Sequence, residues 1–199
     1  MTQNKKRVIG ITGNSGSGKT TVAQMLVDNY GAHAIDADEV VHSLMKPQQP
    51  AYNKIAAAFG PDILSDGKID RKKLGAIVFK DTEKRTQLES IVHPIVIDEI
   101  LKEVDSVGAG LVVIDAVLLV ESGLHHHCDS IWLVTAPEVE RLKRITTRDN
   151  LDDEAAKARM RNQRDTAQIA AIAQLIVGND GDLDNIISQV QKFMSGVVA

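Results

Sequence analysis

The sequence has little of what several classes of protein require. Aromatic residues make up 3% of the chain, and the formal net charge is −4, without a long basic run. A general nucleic-acid-binding surface usually combines a basic patch with aromatic side chains that stack on bases, so we expect no nucleic-acid partner. No apolar stretch approaches the roughly 18 residues that a membrane-spanning helix needs, so we expect no membrane partner.

Cysteine is also scarce. Cys128 is the only cysteine, which excludes a disulfide bond within the chain. A chain without disulfides fits a reducing compartment, and the polar, basic stretch from Met1 to Arg7 is not followed by a signal-peptide core. We therefore expect a cytoplasmic location.

The composition is that of an ordinary globular protein, with 43% hydrophobic and 25% charged residues. Short apolar runs alternate along the chain with stretches that have a helical pattern. The predicted strands are 7–12, 32–35, 111–115, 131–135 and 175–177, and the clearest helices are 19–29, 138–147 and the one that begins at Leu183. This alternation predicts an α/β fold with a five-stranded parallel sheet flanked by helices. The stretch 38–104 is too long and too helical for one crossover, so it predicts a helical insertion that covers the substrate. We expect breaks in it at 46–50, 60–61, 65–67 and His93–Pro94.

A phosphate-binding loop follows the first strand. Gly13–Thr20 matches the pattern G-x-x-x-x-G-K-[ST] between a β-branched strand and an amphipathic helix. The glycines allow the backbone to approach phosphates closely, and the loop amides face the anionic oxygens. Lys19 is expected to bridge the β- and γ-phosphates, Thr20 to bind Mg²⁺ and Thr21 to reach the α-phosphate. The candidate nucleotide-binding residues are Asn14, Ser15, Gly16, Ser17, Gly18, Lys19, Thr20 and Thr21. The motif identifies a nucleoside triphosphate site only, because kinases, GTPases and transporter ATPases share it.

Acidic residues end two of the predicted strands. Asp36 and Asp38 follow the second strand, and ligands of open α/β sheets bind at that edge. A kinase that acts on an alcohol needs a carboxylate that accepts the hydroxyl proton, which Asp38 could provide; alternatively, Asp38 only caps the next helix. Asp115 ends the third strand, where it is either a magnesium ligand of the Walker B type or a turn residue.

Six segments together resemble the bacterial dephospho-coenzyme A kinases, over roughly Val8 to Val190. They are the loop 12–21, IDAD at 35–38, LESIVHP at 88–94, LLVE at 118–121, the stretch 148–163 and, more weakly, LIVGNDG at 175–181. Each segment is short, but their combination in this order is specific to the family.

The resemblance implies a P-loop kinase with three parts. A nucleotide-binding core would comprise 1–37, 108–147 and 167–199, a helical substrate-binding region 38–107, and a lid 148–166. Such enzymes use ATP and Mg²⁺ to phosphorylate the ribose 3′-hydroxyl of dephospho-coenzyme A, a small-molecule substrate, in the last step of coenzyme A synthesis. The resemblance assigns the general base to Asp38, substrate binding to Asp38 and His93, nucleotide binding to Arg148 in the lid and Asn179 beside the adenine, and a lid position to Arg159. Thr20 would bind Mg²⁺ with Asp36 or Asp115.

Other interpretations remain at this stage. His93 could be a buried histidine bonded to the backbone, and the arginines and lysine at 141, 143, 144, 148, 159, 161 and 164 could form a solvated face. The tract His125–Cys128 is typical of a solvated loop, because adjacent side chains cannot all face one metal ion. The alternative functions are another P-loop kinase for a nucleoside, nucleotide or sugar, and a nucleotide-dependent switch protein.

Overall fold

A computed structural model describes residues 6–161, 163 and 165–198. Asn162 and Arg164 of the predicted lid therefore lie outside the described residues. The strands of the described part are β1 (Arg7–Thr12), β2 (His33–Asp36), β3 (Leu64–Ser65), β4 (Lys68–Ile69), β5 (Leu111–Asp115), β6 (Ser130–Thr135) and β7 (Leu175–Gly178). The α-helices are α1 (Lys19–Tyr30), α2 (Ala37–Leu44), α3 (Pro50–Phe59), α4 (Arg71–Lys80), α5 (Thr82–Ser106), α6 (Glu138–Asp149), α7 (Asp153–Arg161), α8 (Ala167–Ile172) and α9 (Leu183–Val198).

The chain divides into two compact units, Met1–Ile35 with Val107–Ala199, and Asp36–Ser106. The larger unit contains a five-stranded sheet in the order β2-β5-β1-β6-β7. β1 pairs in parallel with β5 and β6, and β6 pairs in parallel with β7. Helices α1, α8 and α9 pack against β5, β6 and β7 respectively. The predicted α/β fold with a five-stranded sheet flanked by helices is confirmed.

The core of the larger unit forms because the central strands are apolar on both faces, as a covered parallel sheet requires. Ile11 and Trp132 are fully buried, and Val22 and Leu26 of α1 pack into the same cluster. Phe193 of α9 meets the Trp132 ring edge-on, with the ring centroids 5.3 Å apart. This packing fixes the sheet beneath the loops that follow its carboxyl ends.

The smaller unit is helical, with one strand pair that the sequence interpretation missed. β3 and β4 form an antiparallel hairpin. Asp66 and Gly67 connect them, both with positive φ, at 51° and 71°. Positive φ at both central residues is the geometry of a type I′ turn, which matches the twist of paired strands.

The predicted break at His93–Pro94 is wrong. Helix α5 runs continuously from Thr82 to Ser106 with Pro94 inside it. Proline removes one helical hydrogen bond, to the carbonyl of Ser90. Ser90 and Pro94 are exposed, so water can satisfy that carbonyl, while buried Val96, Ile100 and Val104 anchor the rest of the helix.

None of the helices in the described part of the chain is both long and apolar enough to cross a membrane.

Candidate active site

The phosphate-binding loop depends on glycine at two tightly packed positions. Gly13 has a φ of 151°, and a Cβ there would lie 2.2 Å from the carbonyl oxygen of Val134 in β6. Gly18 has a φ of 93°, and its Cβ would lie 2.0 Å from Nδ2 of Asn179, which follows β7. Both contacts are shorter than any side chain tolerates, so the motif glycines let the loop lie directly against the sheet.

The carbonyl groups of this loop are held from one side by Asn179 and Arg144. Asn179 is only 4% exposed, and its Nδ2 donates to the carbonyl oxygen of Ser17 at 2.8 Å. Arg144 donates through Nη1 to the carbonyl oxygens of Gly16 and Ser17, at 3.2 and 3.4 Å, and through Nη2 to Oδ1 of Asn179 at 2.9 Å. In a planar trans peptide the N–H points opposite to the carbonyl, so the N–H of Gly18 points away from these side chains. The loop thereby presents that amide on its other side, where an anion can accept from it.

Arg141 extends this support along helix α6. Its Nε donates to the carbonyl oxygen of Ser15 at 3.1 Å, and its guanidinium also donates to Oε1 of Gln163. Partial burial lowers the pKa of Arg141 from its usual value, although the group remains a cation at neutral pH. Arg141 thus connects the loop to the segment after α7.

A third arginine of α6 reaches the loop from the last helical turn. Nη2 of Arg148 lies 3.2 Å from Oγ of Ser15. Arg148 also binds Asp149 with two parallel bonds, Nε to Oδ1 at 2.8 Å and Nη2 to Oδ2 at 2.9 Å. Nη1 of Arg159 in α7 binds Oδ2 of the same carboxylate at 2.5 Å. The bonds from Arg148, strengthened by both positive charges, lower the pKa of Asp149, and the Asp149 carboxylate raises the pKa of Arg148.

A cavity of about 710 Å³ opens beside the loop. Its lining includes Gly18, Lys19, Thr20, Lys143, Arg144 and Arg148. The lining has four positively charged side chains and one acidic one, Glu140, and this excess of positive charge suits a polyanion such as a nucleotide phosphate chain. Lys19 and Arg148, both predicted to bind nucleotide, therefore lie in one cavity.

Thr20 and Asp115 form a pair that suits magnesium. Thr20 Oγ1 lies 3.2 Å from Oδ2 of Asp115 at the carboxyl end of β5. Neighbouring ligands of octahedral Mg²⁺, each about 2.1 Å from the ion, lie about 3 Å apart, so the pair fits two positions of one ion. Mg²⁺ usually keeps several waters and binds through one or two protein oxygens plus phosphate.

Of the two acids after β2, the one that caps the next helix is not the one considered for that role in the sequence analysis. Asp36, not Asp38, caps α2: its Oδ1 accepts from the backbone N–H of Asp38 at 2.8 Å and of Glu39 at 3.2 Å. Asp38 lies in the first helical turn with its side chain exposed. Asp36 and Asp38 are not two positions of one extended segment, because helix α2 begins between them. His93, also in the smaller unit, is half-buried within α5.

The sequence interpretation left Arg141 and Arg144 unassigned, although both bind the loop. Arg141, Arg144 and Arg148 are three and four residues apart, a spacing that places them on one face of a helix. That spacing was the available signal. Residues Leu124–His127 form a short 3₁₀ turn rather than an irregular loop, in which His126 and His127 are exposed and His125 is half-buried. Burial of Cys128, next to that turn, raises the pKa of its thiol to about 12.

Comparison with known proteins agrees with the resemblance. Residues 7–185 match the family model described as dephospho-CoA kinase. The chain is 40% identical over 187 residues to the dephospho-CoA kinase of Carboxydothermus hydrogenoformans, across 92% of this chain and 90% of the relative.

Two solved structures extend the comparison to the fold. A crystal structure of a Thermus thermophilus protein aligns with this chain with a TM-score of 0.85 at 31% identity. The alignment covers 98% of this chain and 99% of the Thermus protein. Dephospho-CoA kinase from Campylobacter jejuni aligns with a TM-score of 0.67 at 28% identity, over 96% of this chain and 97% of the Campylobacter enzyme. The P-loop, the cation-lined cavity beside it and these matches along nearly the whole chain lead to one conclusion: this protein belongs to the dephospho-CoA kinase family.

Proposed function

We propose that the protein transfers the γ-phosphoryl group of ATP to the ribose 3′-hydroxyl of dephospho-coenzyme A, which yields coenzyme A and ADP. The observation that carries this proposal is the cation-lined cavity beside a complete phosphate-binding loop, in a chain that belongs to the dephospho-CoA kinase family. The cavity accounts for the nucleotide, and the family supplies the acceptor.

The nucleotide is held by residues of the larger unit. The amides of loop 14–21 and the N-terminus of α1 bind the phosphates, and Lys19 neutralises charge on the β- and γ-phosphates. Mg²⁺ would be held by Thr20 and Asp115, and when bound it neutralises charge that develops on the phosphate oxygens. We favour Asp115 over Asp36, because Oδ2 of Asp115 lies 3.2 Å from Oγ1 of Thr20, whereas Asp36 caps helix α2.

The chemical step is a displacement at phosphorus. The 3′-oxygen of the acceptor forms a bond to the γ-phosphorus while the bond from phosphorus to the β,γ-bridging oxygen breaks and ADP leaves. Asp38, which is exposed in the first turn of α2, takes the proton of the hydroxyl. His93 contributes to acceptor binding.

The three-part division remains part of this proposal: core 1–37, 108–147 and 167–199, substrate region 38–107, and lid 148–166. In the lid, α7 carries Arg159, while Arg148 lies at the end of α6. Closure of such a segment would exclude water from the transferred group. The cytoplasmic location expected from the sequence also stays a prediction.

The test is an assay of ADP release with four acceptors: dephospho-coenzyme A, adenosine, AMP and gluconate. We expect activity with dephospho-coenzyme A to exceed the others by orders of magnitude, with the product phosphorylated at the 3′ position. A preference for AMP or gluconate would identify another small-molecule kinase. ATP binding without transfer to any of the four would favour a nucleotide-dependent switch.

A further inference from the structure

The Asp149 carboxylate lies where two arginines meet. Its Oδ2 accepts from Nη2 of Arg148 at 2.9 Å and from Nη1 of Arg159 at 2.5 Å, and its Oδ1 accepts from Nε of Arg148 at 2.8 Å. Two guanidinium groups that share one acceptor oxygen repel each other unless a negative charge lies between them. Asp149 supplies that charge.

The local backbone explains how the three side chains come together. Arg148 and Asp149 are the last two residues of α6, and Asn150, in the left-handed conformation with a φ of 50°, ends the helix. The chain then turns into α7, which packs against α6 and carries Arg159. The carboxylate therefore joins the end of one helix to the next.

One arginine of the pair, Arg148, also reaches the phosphate-binding loop. Arg148 lines the cavity and reaches Oγ of Ser15 at 3.2 Å. Within the described residues, the bonds of Arg148 use the N–H groups of Nε and Nη2, so Nη1 can bind a ligand. The Arg148 and Arg159 side chains are 59% and 49% exposed, whereas that of Asp149 is 23% exposed. The two cationic side chains are thus more exposed than the carboxylate that they share.

We propose that Asp149 is a positioning residue that holds Arg148 and Arg159 side by side as a paired cationic site for the phosphate chain of the nucleotide. This inference rests on the proposed function of the cavity as the nucleotide site. Asp149 itself touches no substrate and acts only through the two arginines. Fixing both guanidiniums before the nucleotide arrives reduces the ordering that binding and phosphoryl transfer require.

The experiment measures ATP affinity by calorimetry without acceptor, and turnover with saturating ATP and dephospho-coenzyme A. Asp149→Asn keeps the shape but removes the charge. We expect ATP binding to weaken about three- to tenfold and kcat to fall about ten- to a hundredfold, because misplaced cations lose much of their effect in the transition state. The KM for dephospho-coenzyme A should change less than about twofold, and Asp149→Glu should recover part of the loss.

The matched control is Asp152→Asn. Asp152 lies three residues further on, and within the described residues its Oδ1 accepts only a backbone N–H, that of Ala155 at 2.7 Å. Exchange of Asp for Asn at such a position is nearly neutral. Melting temperatures of all variants separate unfolding from loss of positioning, and Asp149→Ser replaces the Asn variant if that variant does not fold.

A double-mutant cycle decides whether Asp149 acts through the arginines. In an Arg159→Ala background, Asp149→Asn should weaken ATP binding by a smaller factor than in the wild type. Equal factors in the two backgrounds, or tighter ATP binding by Asp149→Asn, would overturn the proposal; the second result would mean that the carboxylate competes with phosphate. Because calorimetry needs no acceptor, these outcomes stand even if the wild type fails to phosphorylate dephospho-coenzyme A, a result that would contradict the proposed function alone.

Discussion

The contact between Gly18 and Asn179 gives a quantitative test of how the loop is held. Gly18 and Gly31 flank helix α1, and both have positive φ, 93° and 64°. A Cβ at Gly31 would meet no atom within 4 Å, whereas one at Gly18 would lie 2.0 Å from Nδ2 of Asn179. Gly31→Ala is therefore a matched control that measures the backbone effect alone.

The expected magnitudes follow from these surroundings. An alanine in the left-handed region costs about 1–2 kcal/mol, partly offset by a gain of about 0.4–1 kcal/mol because the unfolded chain loses freedom. Gly31→Ala should thus lower the free energy of unfolding by about 1 kcal/mol. Gly18→Ala must also displace buried Asn179 from Ser17 and Arg144, and these bonds contribute about 1 and about 1.5–3 kcal/mol. We expect Gly18→Ala to cost about 2–4 kcal/mol more than Gly31→Ala.

Urea denaturation of the two variants and the wild type measures this difference through shifted midpoints at constant m. A second comparison places Gly18→Ala in an Asn179→Ala background, where the obstructing amide is gone. There the extra cost of the glycine substitution should shrink to less than about 1 kcal/mol, since little remains to be displaced. A difference between Gly18→Ala and Gly31→Ala of less than about 0.5 kcal/mol would refute the packing of Asn179 against the loop.

Four further outcomes are expected. Lys19→Ala should lower kcat by about 10²-fold or more while the melting temperature is kept, because it removes a cation that stabilises transition-state charge; near-normal turnover would contradict its role. Asp38→Asn should lower single-turnover rates by about 10²- to 10⁴-fold with ATP affinity almost unchanged, and a rate within about threefold of the wild type would exclude it as the base. The Cys128 thiol, whose pKa is raised to about 12, is protonated at pH 8, so a thiol reagent should modify it slowly in the native protein and rapidly in denaturant; equal rates would contradict its burial. ATP and dephospho-coenzyme A together should slow amide hydrogen exchange in α7, and unchanged exchange in the presence of both ligands would argue against a closing lid.

The larger unit was predictable because its signals are local. Runs such as Val8–Ile11 and 111–114 are mostly β-branched and are followed within two residues by glycine or aspartate, which marks a buried strand and its turn. The order of the strands in the sheet has no such local signal, because β1 lies between β5 and β6, which come about a hundred residues later in the chain. Such pairing depends on contacts that no local pattern records.

The smaller unit shows two ways in which local rules gave the wrong result. Asp66-Gly67 is a strong hairpin signal, but the strands on either side are two residues each and too short to show alternation. Pro94 usually ends a helix, yet its cost of about 3 kcal/mol is outweighed in α5 by the burial of three aliphatic residues after it, at about 1.5–3 kcal/mol each. Tertiary packing overrides a local preference when both energies have this size.

The candidate site also has one part that local sequence patterns predict and another that depends on contacts between distant residues. The P-loop motif predicts which residues face phosphate, and that prediction needs only the sequence. The loop's carbonyl groups must also be satisfied, and their partners lie far away in the chain: Arg141 follows Ser15 by 126 residues, and Asn179 follows Ser17 by 162. The spacing of Arg141, Arg144 and Arg148 shows that they share a helix face, but it cannot show what that face meets. Only the fold places α6 against the loop, and this contact turns an apparently solvated arginine run into the support of the nucleotide site.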